Sequence, residues 1–282
     1  MTGPGPAVPT SGGRPPQTPP REQVVITVGS LRLLALSGGE FTMPRQFLSS
    51  DAAHDALAGA DGQVHLPIGS FLLPGDEPLL IDVGFGPGPP TEVLAGGALL
   101  AQLAAAGYRP GEIETIALTH PHPDHVGWLA SPAGELTFPR ARVLLAAADY
   151  DYFVRQRQGE MDDHIRAVLE LMLSQGRIEL MSGEYAVTSH VTALLAPGHT
   201  PGHTVFAVHD HGERAVLLGD SIYCPQQLGH PEWAALSDVD RDLAARTRTA
   251  LERDLEAAGG LAVGAHFPGL AAARVIATRP GQ

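Results

Sequence analysis

Four short apolar stretches of this chain each lead into a residue that can bind a metal ion. The residues that follow them are His120, His199, Asp220 and His266. One histidine or aspartate at a strand end is usually structural, but four in one chain form a pattern. Loops at the carboxyl ends of strands are where ligands bind in α/β proteins. The pattern therefore predicts an α/β fold with a metal site at one edge of its sheets.

The densest group is the run THPHPDH, Thr119–His125, which contains three imidazoles and one carboxylate. Side chains two positions apart point the same way in extended backbone, so His120 and His122 can hold one ion while Asp124 and His125 reach a second. Imidazole and carboxylate ligands without a thiolate favour Zn²⁺ and leave iron, manganese, cobalt and nickel as alternatives. The run therefore predicts two adjacent divalent metal ions.

The bulk composition is that of a folded protein with a sizeable core. The chain has 282 residues, of which 44% are hydrophobic, enough for one large domain. Residues 1–21 are rich in Pro and Gly and have no long apolar run, so we expect a disordered tail and neither a signal peptide nor a membrane anchor. A single domain is predicted for 22–282.

Charge and residue usage exclude several classes of function. A formal charge of −13 argues against a nucleic-acid partner, which would need a basic face. All 18 basic residues are arginine, so Schiff-base chemistry on lysine is excluded. Cys224 is the only cysteine, so one chain has no disulfide, and a cytoplasmic location is expected. No apolar run is long enough to span a membrane.

The order of predicted elements is that of an α/β protein. Strands at 24–28 and 31–36 form a hairpin, and 94–106 has the pattern of a helix that Gly107 ends. The segment 41–63 is predicted to be irregular. Core packing is the preferred role of its aromatic residues, and lining a substrate pocket is the alternative. Asp82, beside glycines, is expected to cap a turn or to support a metal-bound histidine.

The motifs THPHPDH, APGHTPGH, LLGD and GAHFP, in this order, resemble the metallo-β-lactamase superfamily. The resemblance covers nearly all of the chain after the tail and implies a four-layer αββα sandwich with a two-metal site. It implies that His120, His122 and His199 hold one ion and that Asp124, His125 and His266 hold the other. Asp220 would bridge both ions. His203 matches a position that supports the loop and is kept as structural.

Within the superfamily the chain is most similar to the lactonase and organophosphate-hydrolase branch. The run from Asp220 to Tyr223 resembles the Asp-x-x-Tyr of quorum-quenching lactonases. The implied function is hydrolysis of a small-molecule lactone or ester by a metal-bridging hydroxide. Asp124 or Asp220 would move a proton to the leaving group, and Tyr223 would donate to the developing oxyanion. Cys224 is expected to be a buried packing residue.

Three alternatives stay open at this point. One is hydrolysis of a phosphotriester or a thioester. The second is an iron-dependent oxidoreductase similar to persulfide dioxygenases, which the native metal would distinguish. The third is a non-catalytic binding protein on the same fold. The oligomeric state is also left open, with a homodimer as one outcome.

Overall fold

The computed structural model describes residues 23–87, 94–159 and 161–274. The tail predicted over 1–21 lies outside these residues. The single domain over 22–282 stays a prediction.

The first sheet combines an antiparallel half with a parallel half. Its strand order is β1-β2-β3-β4-β6-β7-β8, with β5 paired to β2, and the pairs from β4 to β8 are parallel. The strands are β1 (Val24–Val28), β2 (Leu31–Met43), β3 (Val64–Leu73), β4 (Leu79–Ile81), β5 (Leu94–Gly96), β6 (Thr115–Ala117), β7 (Arg142–Ala146) and β8 (Ile178–Met181).

The second sheet is mainly antiparallel, with one parallel pair, β12 and β13. Its order is β14-β13-β12-β11-β10-β9. The strands are β9 (Tyr185–Ala186), β10 (Val191–Leu195), β11 (Thr204–Asp210), β12 (Glu213–Leu217), β13 (Leu261–Val263) and β14 (Ala273–Arg274).

Six helices accompany the sheets in the described ranges. They are α1 (Asp51–Leu57), α2 (Leu99–Ala105), α3 (Pro123–Val126), α4 (Ala147–Asp149), α5 (Asp163–Ser174) and α6 (Arg241–Ala258). The α4 turn continues as a π-helix over Tyr150–Arg155. None of these helices is both long enough and apolar enough to cross a bilayer.

Alternate residues of the central strands enter different apolar layers. In β4, Leu79 and Ile81 pack between the two sheets, whereas Leu80 packs on the other side. In β11, Phe206 joins the layer between the sheets and Val205 faces away from it. This follows from the two-residue period of a strand, and it explains why β4 and the central residues 205–208 of β11 are continuously apolar.

Three apolar layers define the four-layer architecture. The outer layer of the first sheet is closed by α2 and α5, through side chains such as Leu103 and Leu169. The middle layer lies between the sheets, and the outer layer of the second sheet is closed by Leu255 of α6. Each fully buried large aliphatic or aromatic side chain contributes about 1.5–3 kcal/mol. The predicted αββα sandwich is confirmed.

Two local predictions were wrong for tertiary reasons. The segment Leu94–Gly96, predicted as the start of a helix, pairs with β2, and the helix runs only over Leu99–Ala105. Residues 41–43, predicted to be irregular, extend β2 and pair with β3 and β5. In both places hydrogen bonding to a neighbouring strand overrides the local pattern.

Candidate metal centre

The THPHPDH run starts after the carboxyl end of the parallel strand β6 and continues into the first turn of α3. His122 directly precedes the helix, and Pro123 occupies its first turn, where a missing N–H is tolerated. The helix therefore starts at Pro123, inside the motif. This places Asp124 and His125 on the first helical turn, where both are buried.

Three imidazoles and one carboxylate form the first ligand group. Nε2 of His120 lies 2.9 Å from Nδ1 of His122, and Nε2 of His199 lies 3.0 Å from the same atom. The two Nε2 atoms are 3.2 Å apart. Oδ2 of Asp220 lies 3.6 Å from Nε2 of His199 and 3.8 Å from Nε2 of His120.

Two imidazoles and two carboxylates form the second ligand group. Nε2 of His125 lies 3.1 Å from Oδ2 of Asp124 and 3.1 Å from Oδ1 of Asp220. Nε2 of His266 lies 3.0 Å from Oδ1 of Asp220 and 3.6 Å from Oδ2 of Asp124. The two groups therefore share Asp220, which turns one carboxylate oxygen to each.

The donor atoms of each group suit a divalent cation. Within each group they all lie within 4.8 Å of one another. Ligands held about 2.0–2.1 Å from a tetrahedral zinc are about 3.3–3.4 Å apart, close to the nitrogen spacings of the first group. Nε2 of His125 is buried and makes no well-oriented hydrogen bond in the described part of the chain, so a metal ion that replaces its proton would supply the partner this atom lacks. The residues present fit two ions.

Burial disfavours the protonated form of two imidazoles in the first group, those of His120 and His122. Burial, reinforced by the neighbouring His199, lowers the pKa of His122 to about 3. Burial also holds the pKa of His120 well below its ordinary value, with His125 adding to the effect. Because metal ligands must be deprotonated, these shifts favour metal binding near neutral pH.

The second group has the opposite electrostatics. Burial opposes a charge on His125, but Asp124, Asp220 and Asp82 outweigh it and hold its pKa well above the ordinary value. Burial likewise opposes ionisation of Asp220, yet His266, His125 and His120 hold its pKa well below the ordinary value. In the metal-free protein, a proton on His125 therefore supplies the positive charge that a bound cation would otherwise bring to these carboxylates.

Four of the five histidines use Nδ1 for an outer hydrogen bond and turn Nε2 inward. The pairs are His120 with Oγ1 of Thr119, His125 with Asp82, His199 with Asp238, and His266 with the carbonyl oxygen of Pro67. Such contacts fix the ring orientation and the tautomer that a metal requires. Asp82, expected as a cap or a supporting acceptor, is the acceptor for His125.

His203 and Cys224 are buried near the site and belong to neither ligand group. Nε2 of His203 accepts the backbone N–H of Asp220 at 3.1 Å, and its Nδ1 lies 3.0 Å from Oγ of Ser221. Both ring nitrogens are thus used to hold the Asp220 turn. Cys224 is fully buried, and burial raises the pKa of its thiol to about 11, as suits a packing residue.

Sequence reasoning missed three supporting residues. Asp238 lies under His199, Arg248 pairs with Asp238, and Asp149 accepts hydrogen bonds from Oγ1 of Thr200 and the N–H of Gly202. Asp238 lies three residues before the start of α6 at Arg241. Burial of an aspartate outside a helix is the signal that would identify Asp238 as functional. Burial depends on the tertiary structure, so the sequence does not show it.

A cavity of about 540 Å³ opens onto both ligand groups. His122, Asp124, Asp220 and His266 form its polar end. Its apolar wall is formed by Phe41, Met43, Phe47, Phe85, Leu236 and Val239. The aromatic residues Phe41 and Phe47, for which packing was preferred and pocket lining was the alternative, therefore border the site.

Tyr223 stands at the boundary between the apolar wall and the ligand groups. Its hydroxyl donates to Oδ2 of Asp220 at 2.7 Å and lies 3.0 Å from Oγ of Ser237. The ring stacks on His266 and meets Phe47 edge-on. Burial, with Asp220 adding to it, raises the pKa of Tyr223 well above its ordinary value, so the hydroxyl keeps its proton.

Comparison with known proteins agrees with this fold. An N-acyl homoserine lactonase of Bacillus cereus is 26% identical over 206 residues, which cover 63% of this chain and 76% of that protein. The solved structure of AidC, a dizinc quorum-quenching lactonase in complex with a product, has a TM-score of 0.80 at 24% identity and covers 92% of this chain and 95% of that one. The hydrolase AbOPH, of the beta lactamase superfamily, has a TM-score of 0.78 at 24% identity, with coverage of 89% and 92%.

The family itself is established by a sequence profile. The profile of the metallo-beta-lactamase superfamily matches residues 66–266 and so includes every predicted ligand. The four motifs predicted a resemblance to this superfamily, and that prediction is confirmed. Lactonases are among the similar proteins. Because the match spans more than half of the chain and ends on its last strand-end histidine, the chain belongs to the metallo-beta-lactamase superfamily and is a metal-dependent hydrolase of that fold.

Proposed function

We propose that this protein is a dinuclear hydrolase that opens lactones or cleaves related small-molecule esters. The observation that carries the proposal is the position of Asp220. One of its oxygens faces each ligand group, and its side chain forms part of the cavity surface. A substrate carbonyl at the polar end of the cavity would therefore meet both groups at once.

The walls of the cavity favour neutral, partly apolar substrates. Most of the non-ligand side chains that line it are aliphatic or aromatic, and no arginine is among the described residues that line it. An anionic thioester or phosphate ester would find no cationic side chain there. An acyl or alkyl chain attached to a lactone or ester would lie along the wall that Phe47 and Leu236 help to form.

The metals we propose are two Zn²⁺ ions. The donors are imidazoles and carboxylates in two groups of four, with Asp220 shared. This set suits zinc and also accepts iron, manganese, cobalt or nickel. Two such ions, when bound, lower the pKa of a water molecule and polarise the carbonyl oxygen of the substrate.

Asp124 and Asp220 have the further role of proton carriers. Both are buried, and each keeps one oxygen near Nε2 of His125 and Nε2 of His266. Asp124 also lines the cavity, so its carboxylate can reach a leaving oxygen of the substrate. We assign the transfer of a proton to that leaving group to Asp124 or Asp220.

Tyr223 is the proposed oxyanion donor. Its hydroxyl is protonated and lies at the cavity surface beside Asp220. A donor aimed at charge that grows only in the transition state lowers the barrier without tightening substrate binding. The hydroxyl would have to turn from Asp220 towards the substrate, and Ser237 gives it a second partner during that movement.

The test is a substrate panel on purified, metal-replete protein. We expect the highest kcat/KM for N-acyl homoserine lactones or aryl esters, lower values for phosphotriesters and acyl thioesters, and loss of activity on chelation that Zn²⁺ restores. Turnover of phosphotriesters or thioesters alone would replace the proposed substrate class. Native iron together with oxygen consumption on a persulfide would replace hydrolysis by oxidation.

A further inference from the structure

Arg248 is a charged residue buried in the interior of the second outer layer. It projects from α6, and only 1% of its surface is exposed. Its Nη1 donates to Oδ2 of Asp238 at 3.2 Å, and its Nε donates to the carbonyl oxygen of Pro231 at 2.8 Å. A buried arginine must have a partner of opposite charge, and Asp238 is that partner.

Asp238 connects this arginine to the first ligand group. While Oδ2 faces Arg248, Oδ1 lies 3.2 Å from Nδ1 of His199. Oδ2 also accepts the backbone N–H of Ala235 at 3.0 Å. The carboxylate is therefore held on one side by a guanidinium and a backbone amide, and its remaining oxygen is free to orient the histidine.

The backbone around Asp238 supports the same histidine. The N–H of Val239 donates to the carbonyl oxygen of His199 at 3.1 Å, and the N–H of Asp240 donates to that of Gly198 at 2.9 Å. We call the residues 231–240 the support segment. Arg248 contacts this segment twice, at Pro231 and at Asp238, and so joins it to α6.

We propose that Arg248 is a positioning residue for His199, acts through Asp238, and sets the affinity of the first ligand group for its metal. This inference rests on the proposed metal site, but it is independent of which substrate the protein hydrolyses. Removing the guanidinium would leave the buried carboxylate of Asp238 without its charged partner and free to change its orientation. His199 would then lose the acceptor that directs Nε2 to the metal.

The experiment measures metal affinity and not turnover. Zinc-loaded wild-type protein and its Arg248→Met and Arg248→Lys variants are titrated with a chelator, and the same proteins loaded with Co²⁺ are followed by absorption spectroscopy. We expect Arg248→Met to weaken one of the two metals about 10- to 100-fold and to leave the other nearly unchanged. Arg248→Lys should recover part of the loss because an ammonium group can still face Asp238.

Two controls separate positioning from general stability. Arg246→Met removes an exposed arginine from the same helix and should leave both metal affinities unchanged. In an Asp238→Asn background, Arg248→Met should add little further loss, because the proposed route passes through that carboxylate.

The result that would overturn the inference is a folded Arg248→Met protein with two wild-type metal affinities, even if its melting temperature is lower. Equal weakening of both metals that lysine does not relieve would also overturn it. Normal zinc binding without turnover of any lactone or ester would instead contradict the proposed function and leave the role of Arg248 intact.

Discussion

Nδ1 of His125 lies 2.8 Å from Oδ2 of Asp82, although the two residues are 43 positions apart in the chain. Asp82 follows β4 and has a φ of +56°, a left-handed conformation that Asp and Asn tolerate better than most residues. The same carboxylate accepts the N–H and the hydroxyl of Thr119, each at 2.8 Å. One side chain thus fixes the start of the metal-binding loop and the orientation of one of its histidines.

We expect Asp82→Asn to weaken the metal of the second group about 10- to 100-fold, because an amide is a poorer acceptor for the histidine N–H. The backbone conformation is retained, since Asn accepts a positive φ. Chelator competition on zinc-loaded protein measures the change. Asp61→Asn, at an exposed carboxylate, is the control, and an unaltered affinity in Asp82→Asn would contradict the assigned role.

Asp82→Ala should be more severe for folding. It leaves the buried N–H and hydroxyl of Thr119 without their acceptor, and each unsatisfied group costs about 1–3 kcal/mol. Denaturant unfolding of the metal-free proteins gives the difference in free energy. A metal-free Asp82→Ala protein as stable as wild type would show that other groups replace the carboxylate.

Purified protein should carry close to two metal ions per chain, since the two ligand groups share only Asp220. His199→Ala and His266→Ala should each lose about one ion, and from different groups. Elemental analysis together with Co²⁺ spectra distinguishes the two losses. Loss of the same ion in both variants would mean that the division into groups is wrong.

Tyr223→Phe should retain both metals and lower kcat for lactones about 10²-fold, which corresponds to losing one oxyanion donor at roughly 3 kcal/mol. The effect should be smaller for aryl phosphotriesters, whose leaving group needs less help. Tyr185→Phe is the matched control, because it removes the hydroxyl of a tyrosine on β9 that donates to Glu179 and is given no part in the reaction. Unchanged lactone kinetics in metal-replete Tyr223→Phe would assign the tyrosine a structural role.

The rim of the cavity should select for chain length. Leu236 and Val239 are 55% and 47% exposed although both are large and apolar, so they are available to a bound acyl chain. Leu236→Ser should raise KM for long-chain lactones up to about tenfold, equivalent to about 1.4 kcal/mol of lost apolar contact, and leave short-chain lactones nearly unaffected. Leu171→Ser, on α5 with 48% exposure, is the control, and equal effects of the two substitutions would remove Leu236 from the substrate path.

Cys224 should react slowly with thiol reagents in the native protein. Because burial raises its pKa to about 11, only about one thiol in a thousand is ionised at pH 8, and the rate should rise about tenfold for each pH unit towards 11. The time course of a chromogenic disulfide reagent, compared between native and unfolded protein, measures this. Cys224→Ser should change turnover less than about tenfold, and a larger loss would contradict a packing role.

The sequence by itself determined the parts of this protein that depend on local order. The run from His120 to His125 and the strand-end positions of His199, Asp220 and His266 follow from apolar stretches that end in metal-binding residues. The apolar residues of β4 and residues 205–208 of β11 were visible in the chain, and the structure covers both faces of these strands. These features need no knowledge of which strand lies beside which.

Only the tertiary structure decided what supports those residues. Asp238 is 39 positions from His199, and Pro67 is 199 positions from His266, so no local pattern pairs them. For the same reason Leu94–Gly96 was predicted as helix and forms a strand, since its partner β2 lies far away in the chain. Hydrogen bonds between distant segments depend on how the layers pack, and that packing is a property of the whole fold.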